Sequence, residues 1–162
     1  MKTIRKPKLT EVTGIKKLLD QASKDGHVLA RPLMELYETV RDFVVYVDEE
    51  GVAGCCALTI DMIDLAEIRS LVVRPDLRGQ KIGQRLLGAC LDEARELDID
   101  RVFALTRAPG FFKKNGFVEV DMHTLPHKVF MDCVKCPLFP DCDEIAVIRH
   151  LKTQEDAEPG RE

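Results

Sequence analysis

Four cations and two glycines crowd one short stretch of this chain, Val72 to Leu87, which reads VVRPDLRGQKIGQRLL. An apolar strand ends at Val73, and a tight turn then opens directly into an amphipathic helix. The first turn of a helix has backbone N–H groups with no internal partner, and its dipole favours negative charge. Gly79 and Gly83 let a ligand approach the backbone closely. Arg74, Arg78, Lys81 and Arg85 surround the turn with positive charge. A pyrophosphate suits such a cradle. Neither common phosphate loop is present, because the stretch has no G-x-x-x-x-G-K-[ST] and no G-x-G-x-x-G. The alternative is an ordinary strand-to-helix turn with solvated arginines.

A second candidate is Glu67, alone among apolar neighbours in the strand EIRSLVV, residues 67–73. Strand alternation puts Glu67, Arg69 and Leu71 on one face and Ile68, Ser70 and Val72 on the other. An unpaired carboxylate is costly to bury. Either Glu67 pairs with a neighbouring arginine, or it sits in a cleft and takes a proton directly or through water.

Six cysteines are present: Cys55, Cys56, Cys90, Cys133, Cys136 and Cys142. The spacing C-x-x-C at Cys133 and Cys136, with Cys142 nearby, suits a soft metal such as zinc, which wants four ligands. His127, His123 or Asp141 could complete the set. Unbound thiols and a redox switch stay open beside structural zinc. Cys55, Cys56 and Cys90 read as small core residues.

These groups need elements to position them. Thr3 to Lys6 reads as a first strand, stopped by Pro7. Thr10 is expected to cap a helix carrying Val12, Ile15, Leu18, Leu19 and Ala22 on one face, ended by Asp25-Gly26. A loop from His27 to Arg31 leads to a second helix opened by Pro32, with Leu33, Leu36, Tyr37 and Val40 on its apolar face. Strands over Phe43–Val47 and Val52–Ile60 form a hairpin, followed by a strand over Ala66–Val73. A helix from Gly79 to Leu97 buries Ile82, Leu86, Leu87, Cys90, Leu91, Ala94 and Leu97. Arg101–Leu105 is a strand, Phe111–Lys114 a short helix, and Phe117–Val120 and Ile145–Arg149 are the last strands.

At 162 residues the chain is long enough for one domain with a real core. Residues 1–151 are expected to form that domain, with 133–142 as a cysteine-rich loop and 152–162 as a polar, frayed tail. The net charge of −4 argues against nonspecific nucleic-acid binding. No apolar run approaches the ~20 residues that span a bilayer. No apolar segment follows Lys2, Arg5, Lys6 and Lys8, so a cytoplasmic protein with no membrane partner is expected.

The pattern R-G-x-x-I-G, from Arg78 to Gly83, resembles the acetyl-CoA pyrophosphate loop of the GNAT acetyltransferases. That family reads (Arg/Gln)-x-x-Gly-x-(Gly/Ala), and Lys81 stands where its first glycine would be. The resemblance implies an α/β (α+β) GNAT fold: a central mixed, mostly antiparallel sheet with helices on both faces. It also implies acetyl-CoA as co-substrate. Leu71, Val72 and Val73 would hold the pantetheine, and Arg78, Gly79, Gln80, Lys81, Ile82, Gly83 and Gln84 the pyrophosphate. Glu67 would be the base that frees an acceptor amine. Many family members place a tyrosine beside the thiol to protonate it; Phe111 and Phe112 stand there instead, leaving water, Thr106 or no acid.

A narrower resemblance runs over most of residues 1–130. RPLMELYETVRDFVV, AEIRSLVVRP, RVFALTRAPGFFKKNGF and LPHKVF are similar to the acetyltransferase domain of N-acetylglutamate synthases, which open arginine biosynthesis. It implies L-glutamate as acceptor, with Arg31 gripping it and Ser70, Thr106 and Arg107 lining the pocket. The alternatives are another amine (glutamine, a polyamine, a protein N-terminus), or a non-catalytic CoA-binding or metal-sensing module. The partner is a small amino acid, and a homodimer is compatible with this reading.

Overall fold

The computed structural model describes residues 3–126 and 143–152. In chain order these build β1 (Thr3–Arg5), α1 (Val12–Lys24), α2 (Leu33–Glu38), β2 (Phe43–Asp48), β3 (Gly51–Met62) and β4 (Leu65–Val73). Then come α3 (Ile82–Glu96), β5 (Arg101–Thr106), α4 (Pro109–Lys114), β6 (Val118–Val120) and β7 (Ile145–His150). The strands form one seven-stranded sheet in the order β1-β2-β3-β4-β5-β7-β6. Only β4 and β5 are parallel. The expected mixed, mostly antiparallel sheet is present.

Hydrophobic spacing explains why helices cover both faces. In α1, Val12, Ile15, Leu18, Leu19 and Ala22 recur every three or four residues and are all buried. They pack with Leu36, Phe43, Val45, Cys55 and Val72 on one face of the sheet. On the other face, α3 presents Ile82, Leu86, Leu87, Cys90, Leu91 and Ala94 to Val44, Cys56, Leu58, Ala66 and Ile68. Cys55, Cys56 and Cys90 are fully buried in these cores, as their small size suggests.

Three helix details differ from the sequence reading. Thr10 does not cap α1; it lies exposed in a 3-10 turn, Leu9–Glu11. Glu11 ties that turn instead, accepting the Lys8 N–H at 2.7 Å and two Arg5 bonds at 2.8 Å. The Arg5 guanidinium holds the Glu11 carboxyl down at about 2. The second helix ends at Glu38, so it has room for only one buried residue, Leu36, while Leu33, Met34 and Tyr37 are exposed. Val40 is still buried, in the turn that follows. The long helix starts at Ile82, not Gly79, because Gly79 and Lys81 both take positive φ, 82° and 64°. Leu97 caps its far end and is exposed, outside the buried stripe.

The largest departure is in β4. Ala57 pairs with Arg69 and Cys55 with Val72, so three steps on β4 face two on β3. That is a β-bulge, and Ser70 sits in it with φ 55°. The extra residue reverses the alternation. Ala66 and Ile68 face α3 before the bulge; Leu71 and Val73 pack against that same core after it. Val72 turns to the α1 face. Leu71 therefore does not share a face with Glu67 and Arg69, and Val72 does not share one with Ile68.

Candidate active site

The parallel pairing of β4 and β5 covers three rungs, Leu65↔Arg101, Ala66↔Val102 and Glu67↔Phe103. Beyond Glu67 the two strands continue to Val73 and Thr106 without pairing. The sheet thus opens into a V with Glu67 at its apex. Alternate N–H and C=O groups of a strand point to each edge. From Ile68 to Val73, those on the β5 edge of β4 have no strand partner among the described residues. An extended amide-bearing ligand can complete that edge as a strand would. A groove of about 450 Å³ runs along α1, over Val72 and Val73, to Arg78.

At the open end of the V lies the start of α3. Arg78, Gly79, Gln80, Lys81 and Gln84 are exposed there, Gly83 is half-buried and Ile82 is anchored in the core. The first-turn N–H groups of α3 have no partner within the helix, and such a turn favours an anion. Lys81 adopts the left-handed conformation that a glycine would adopt freely, so its departure from the family pattern keeps the backbone path and adds a cation. Arg74, expected among the surrounding cations, is committed elsewhere. It bonds Asp76 at 2.6 Å and Asp48 at 2.7 Å, and these carboxylates push its pKa up.

Left-handed backbone costs a non-glycine residue about 1–2 kcal/mol, part of which glycine returns as unfolded-state entropy. Lys81→Gly is therefore expected to raise Tm by about 1–4 °C. Losing one exposed cation should weaken acetyl-CoA binding by no more than about fivefold. Thermal melts and calorimetry check both; a lower Tm would show that Lys81 is not strained.

Glu67 is half-buried, with Arg69 Nε 4.0 Å from Oε1. Arg69 is exposed, so this pair is weak. The ion pair weighed as the alternative thus exists at its outer limit.

Arg31 is the one charged residue buried as a whole among the described residues, 6% exposed. It reaches across from the loop before α2. Its Nη1 donates to Ser70 Oγ at 3.2 Å, its Nε to Glu35 Oε1 at 2.9 Å and its Nη2 to Thr39 Oγ1 at 3.2 Å. Its guanidinium lies over the Phe43 ring, 5.2 Å from the centroid. A guanidinium carries five N–H donors. Three are used here, which leaves two.

Arg31 and Ser70 are therefore brought together, with Ser70 three residues along β4 from Glu67. Thr106 and Arg107 stand on the far arm of the V and are engaged locally. Thr106 Oγ1 accepts the Ala108 N–H at 2.8 Å. Arg107 donates to Asp143 at 2.6 Å and to the Gly26 carbonyl at 2.8 Å, tying the α1–α2 loop to β5. Its guanidinium lowers the Asp143 pKa. Burial raises that of neighbouring Glu144.

Sequence reading missed Glu35 and Thr39, which hold the guanidinium. The four-residue spacing of Arg31 and Glu35 was the available signal. Cys55 is not a nucleophile: burial pushes its thiol up to about 12, and it donates to the Ser70 carbonyl at 3.3 Å. Phe111 touches the α3 start, 3.7 Å from where a Gly83 side chain would begin, while Phe112 and Phe117 are buried edge-to-face at 5.1 Å. His127, Cys133, Cys136 and Cys142 lie outside the described residues. Among the described residues no group of three or more His, Cys, Asp and Glu could hold a metal. No described helix is long and apolar enough to cross a membrane.

Comparisons with known proteins agree with this geometry. The acetyltransferase (GNAT) domain model matches residues 39–119. An uncharacterized N-acetyltransferase of Chlorobaculum tepidum is 34% identical over 148 residues, 91% of this chain and 96% of that protein. An amino-acid acetyltransferase of Mycobacterium tuberculosis is 37% identical over 131 residues, 78% of this chain and 74% of that one. Among solved structures, N-acetylglutamate synthase from Neisseria gonorrhoeae, complexed with coenzyme A and N-acetyl-glutamate, superposes with a TM-score of 0.85 at 26% identity. That likeness covers 94% of this chain and 36% of the longer synthase chain. With the open V, the α3 cradle and these relatives in agreement, the chain belongs to the GNAT family and is an N-acetyltransferase.

Proposed function

We propose that this enzyme acetylates the α-amine of L-glutamate from acetyl-CoA, in the cytoplasm, as a step of arginine biosynthesis. The observation that carries the reading is Arg31: a buried guanidinium bonded to Ser70, three residues along β4 from Glu67, with two N–H donors left. Arginine forks suit carboxylates, and glutamate brings two. The M. tuberculosis relative's name, amino-acid acetyltransferase, supports an amino acid as acceptor, and the N-acetyl-glutamate bound to the gonococcal synthase supports glutamate. Residues 1–151 form the acetyltransferase unit on this reading, with 152–162 outside it.

In this mechanism the α3 start and Arg78, Lys81 and Gln84 hold the diphosphate. The pantetheine lies along the open edge of β4 through Leu71, Val72 and Val73. Arg31 and Ser70 hold the acceptor's carboxylate end. An ammonium has no lone pair, so its proton passes to Glu67. The freed lone pair attacks the thioester carbonyl carbon. The C–N bond forms, the C–S bond breaks with its electron pair leaving on sulfur, and the second proton of the amine passes to that thiolate, giving the neutral amide and free CoA. A thiolate whose conjugate acid has a pKa of ~8.5 leaves without a strong acid, so Phe111 and Phe112 are tolerable where other members have tyrosine. On this reading the acetyl group passes directly from thioester to amine.

Release of free CoA with a panel of amines tests the acceptor. Glutamate is expected to give the highest kcat/KM; a higher value with glutamine, a polyamine or a peptide N-terminus would replace it. Arg31→Lys keeps the charge but loses the fork. It is expected to raise KM for glutamate about ten- to hundredfold, the worth of a charged hydrogen bond, and to leave the acetyl-CoA Kd unchanged. Equal weakening of both substrates would make Arg31 a purely structural residue.

A further inference from the structure

The Thr59 hydroxyl is a buried oxygen with no hydrogen-bond partner among the described residues. A buried hydroxyl left unpaired destabilises the fold, and valine would fill the same space in a β-strand without that cost. Thr59 pairs directly with Glu67 across β3 and β4. Directly paired residues in antiparallel strands share a face, with Cβ atoms about 4.5–5.5 Å apart. On its other side Glu67 pairs with Phe103, which is fully buried and apolar. Thr59 is thus the polar member of the row that flanks Glu67.

We infer that Thr59 is a positioning residue for Glu67: its hydroxyl anchors a water beside the Glu67 carboxylate when the acceptor binds. The inference rests on Glu67 being the base of the proposed reaction. The acceptor ammonium gives a proton to this water as the water gives one to Glu67, so the amine is freed and the water is regenerated. The row geometry explains why threonine stands where valine would pack better. A hydroxyl can donate to a carboxylate and accept from a water in turn. Among the described residues, Arg69 pairs with Glu67 on β4, Asp61 lies two residues from Thr59 on β3, and Arg31 is bonded to Ser70. None is altered by the test.

Thr59→Val, Thr59→Ala, Thr59→Ser and Glu67→Gln are compared in the CoA-release assay across pH. A carboxylate that loses a donor holds its proton to higher pH. Thr59→Val and Thr59→Ala are expected to lower kcat about tenfold, the worth of one hydrogen bond, with both KM values within about twofold. The acid limb of kcat, which reports the enzyme with acceptor bound, should move up by about one pH unit. Thr59→Ser should restore both the rate and the limb. Because the orphan hydroxyl is removed, Thr59→Val should melt no lower than the wild type, which a merely structural threonine would not allow. If Glu67→Gln is slow while Thr59→Val keeps the wild-type rate and limb, the Thr59 assignment is overturned and Glu67 stands. Should Glu67→Gln retain the wild-type rate, the base reading fails and this inference fails with it.

Discussion

Glu67→Gln is expected to lower kcat at neutral pH by roughly 10²–10⁴-fold, the usual share of general base catalysis. Glutamine keeps the size of the side chain and one acceptor oxygen, but it cannot take a proton. The fold should tolerate the change, because the ion pair of Glu67 with exposed Arg69 is a weak contact of 4.0 Å. The loss should shrink as pH rises, since solution then supplies unprotonated amine and the base becomes redundant. Acetyl-CoA affinity should stay within about twofold, because the proposed diphosphate site is at the start of α3, not at the apex of the V. Steady-state rates from pH 7 upward, with calorimetry of acetyl-CoA binding, separate the two effects. A variant with wild-type kcat at pH 7 would remove Glu67 from the chemistry.

Element order was legible because each element carries its own period. The buried stripe of α1 repeats every three to four residues, and that of α3 does the same. What failed were points where one residue changes the geometry. Ser70 gave no glycine or proline signal, yet it takes a positive φ and reverses the alternation of β4. No local rule announces such a bulge, since the β3–β4 register that creates it is a tertiary property. Thr10 has a capping side chain, but a 3-10 turn tied by Glu11 and Arg5 supersedes it. Arg74 looks like a phosphate ligand in sequence; only the fold brings Asp48 within 2.7 Å of it.

The site divides along the same line. The α3 cradle was readable because a strand, a glycine turn and a helix start are contiguous in sequence. Arg31 and Ser70 are 39 residues apart, so their 3.2 Å bond follows from folding; the family resemblance implied only that both belong to one pocket. Thr106 and Arg107 show the limit of that route. They stand at the end of β5 as expected, but their polar groups serve the chain itself, through Ala108, Asp143 and Gly26. Thr59 could not be found without the register, because nothing in the sequence says that it faces Glu67.

Gly83→Asp is expected to weaken acetyl-CoA binding by roughly 30- to 1,000-fold. Gly83 is the second residue of α3, in the turn whose free N–H groups would meet the diphosphate. A carboxylate about 4 Å from a phosphate charge costs about 1 kcal/mol in water and about 4 kcal/mol near a protein surface. Two such charges put the loss at about 2–4 kcal/mol after partial screening, which is the stated range. Bulk alone does not explain it. A Cβ at this position would meet Phe111 and Val73 at 3.7 Å, an ordinary contact. Gly83→Ala therefore serves as the control: it should fold, gain helix stability of up to about 1 kcal/mol, and bind acetyl-CoA within about fivefold of the wild type. Raising the salt concentration should recover part of the aspartate defect and none of the alanine one, because only a charge repulsion is screened. Calorimetry of both variants at low and high salt decides the matter. Equal affinity for the aspartate variant and the wild type would move the diphosphate away from the start of α3.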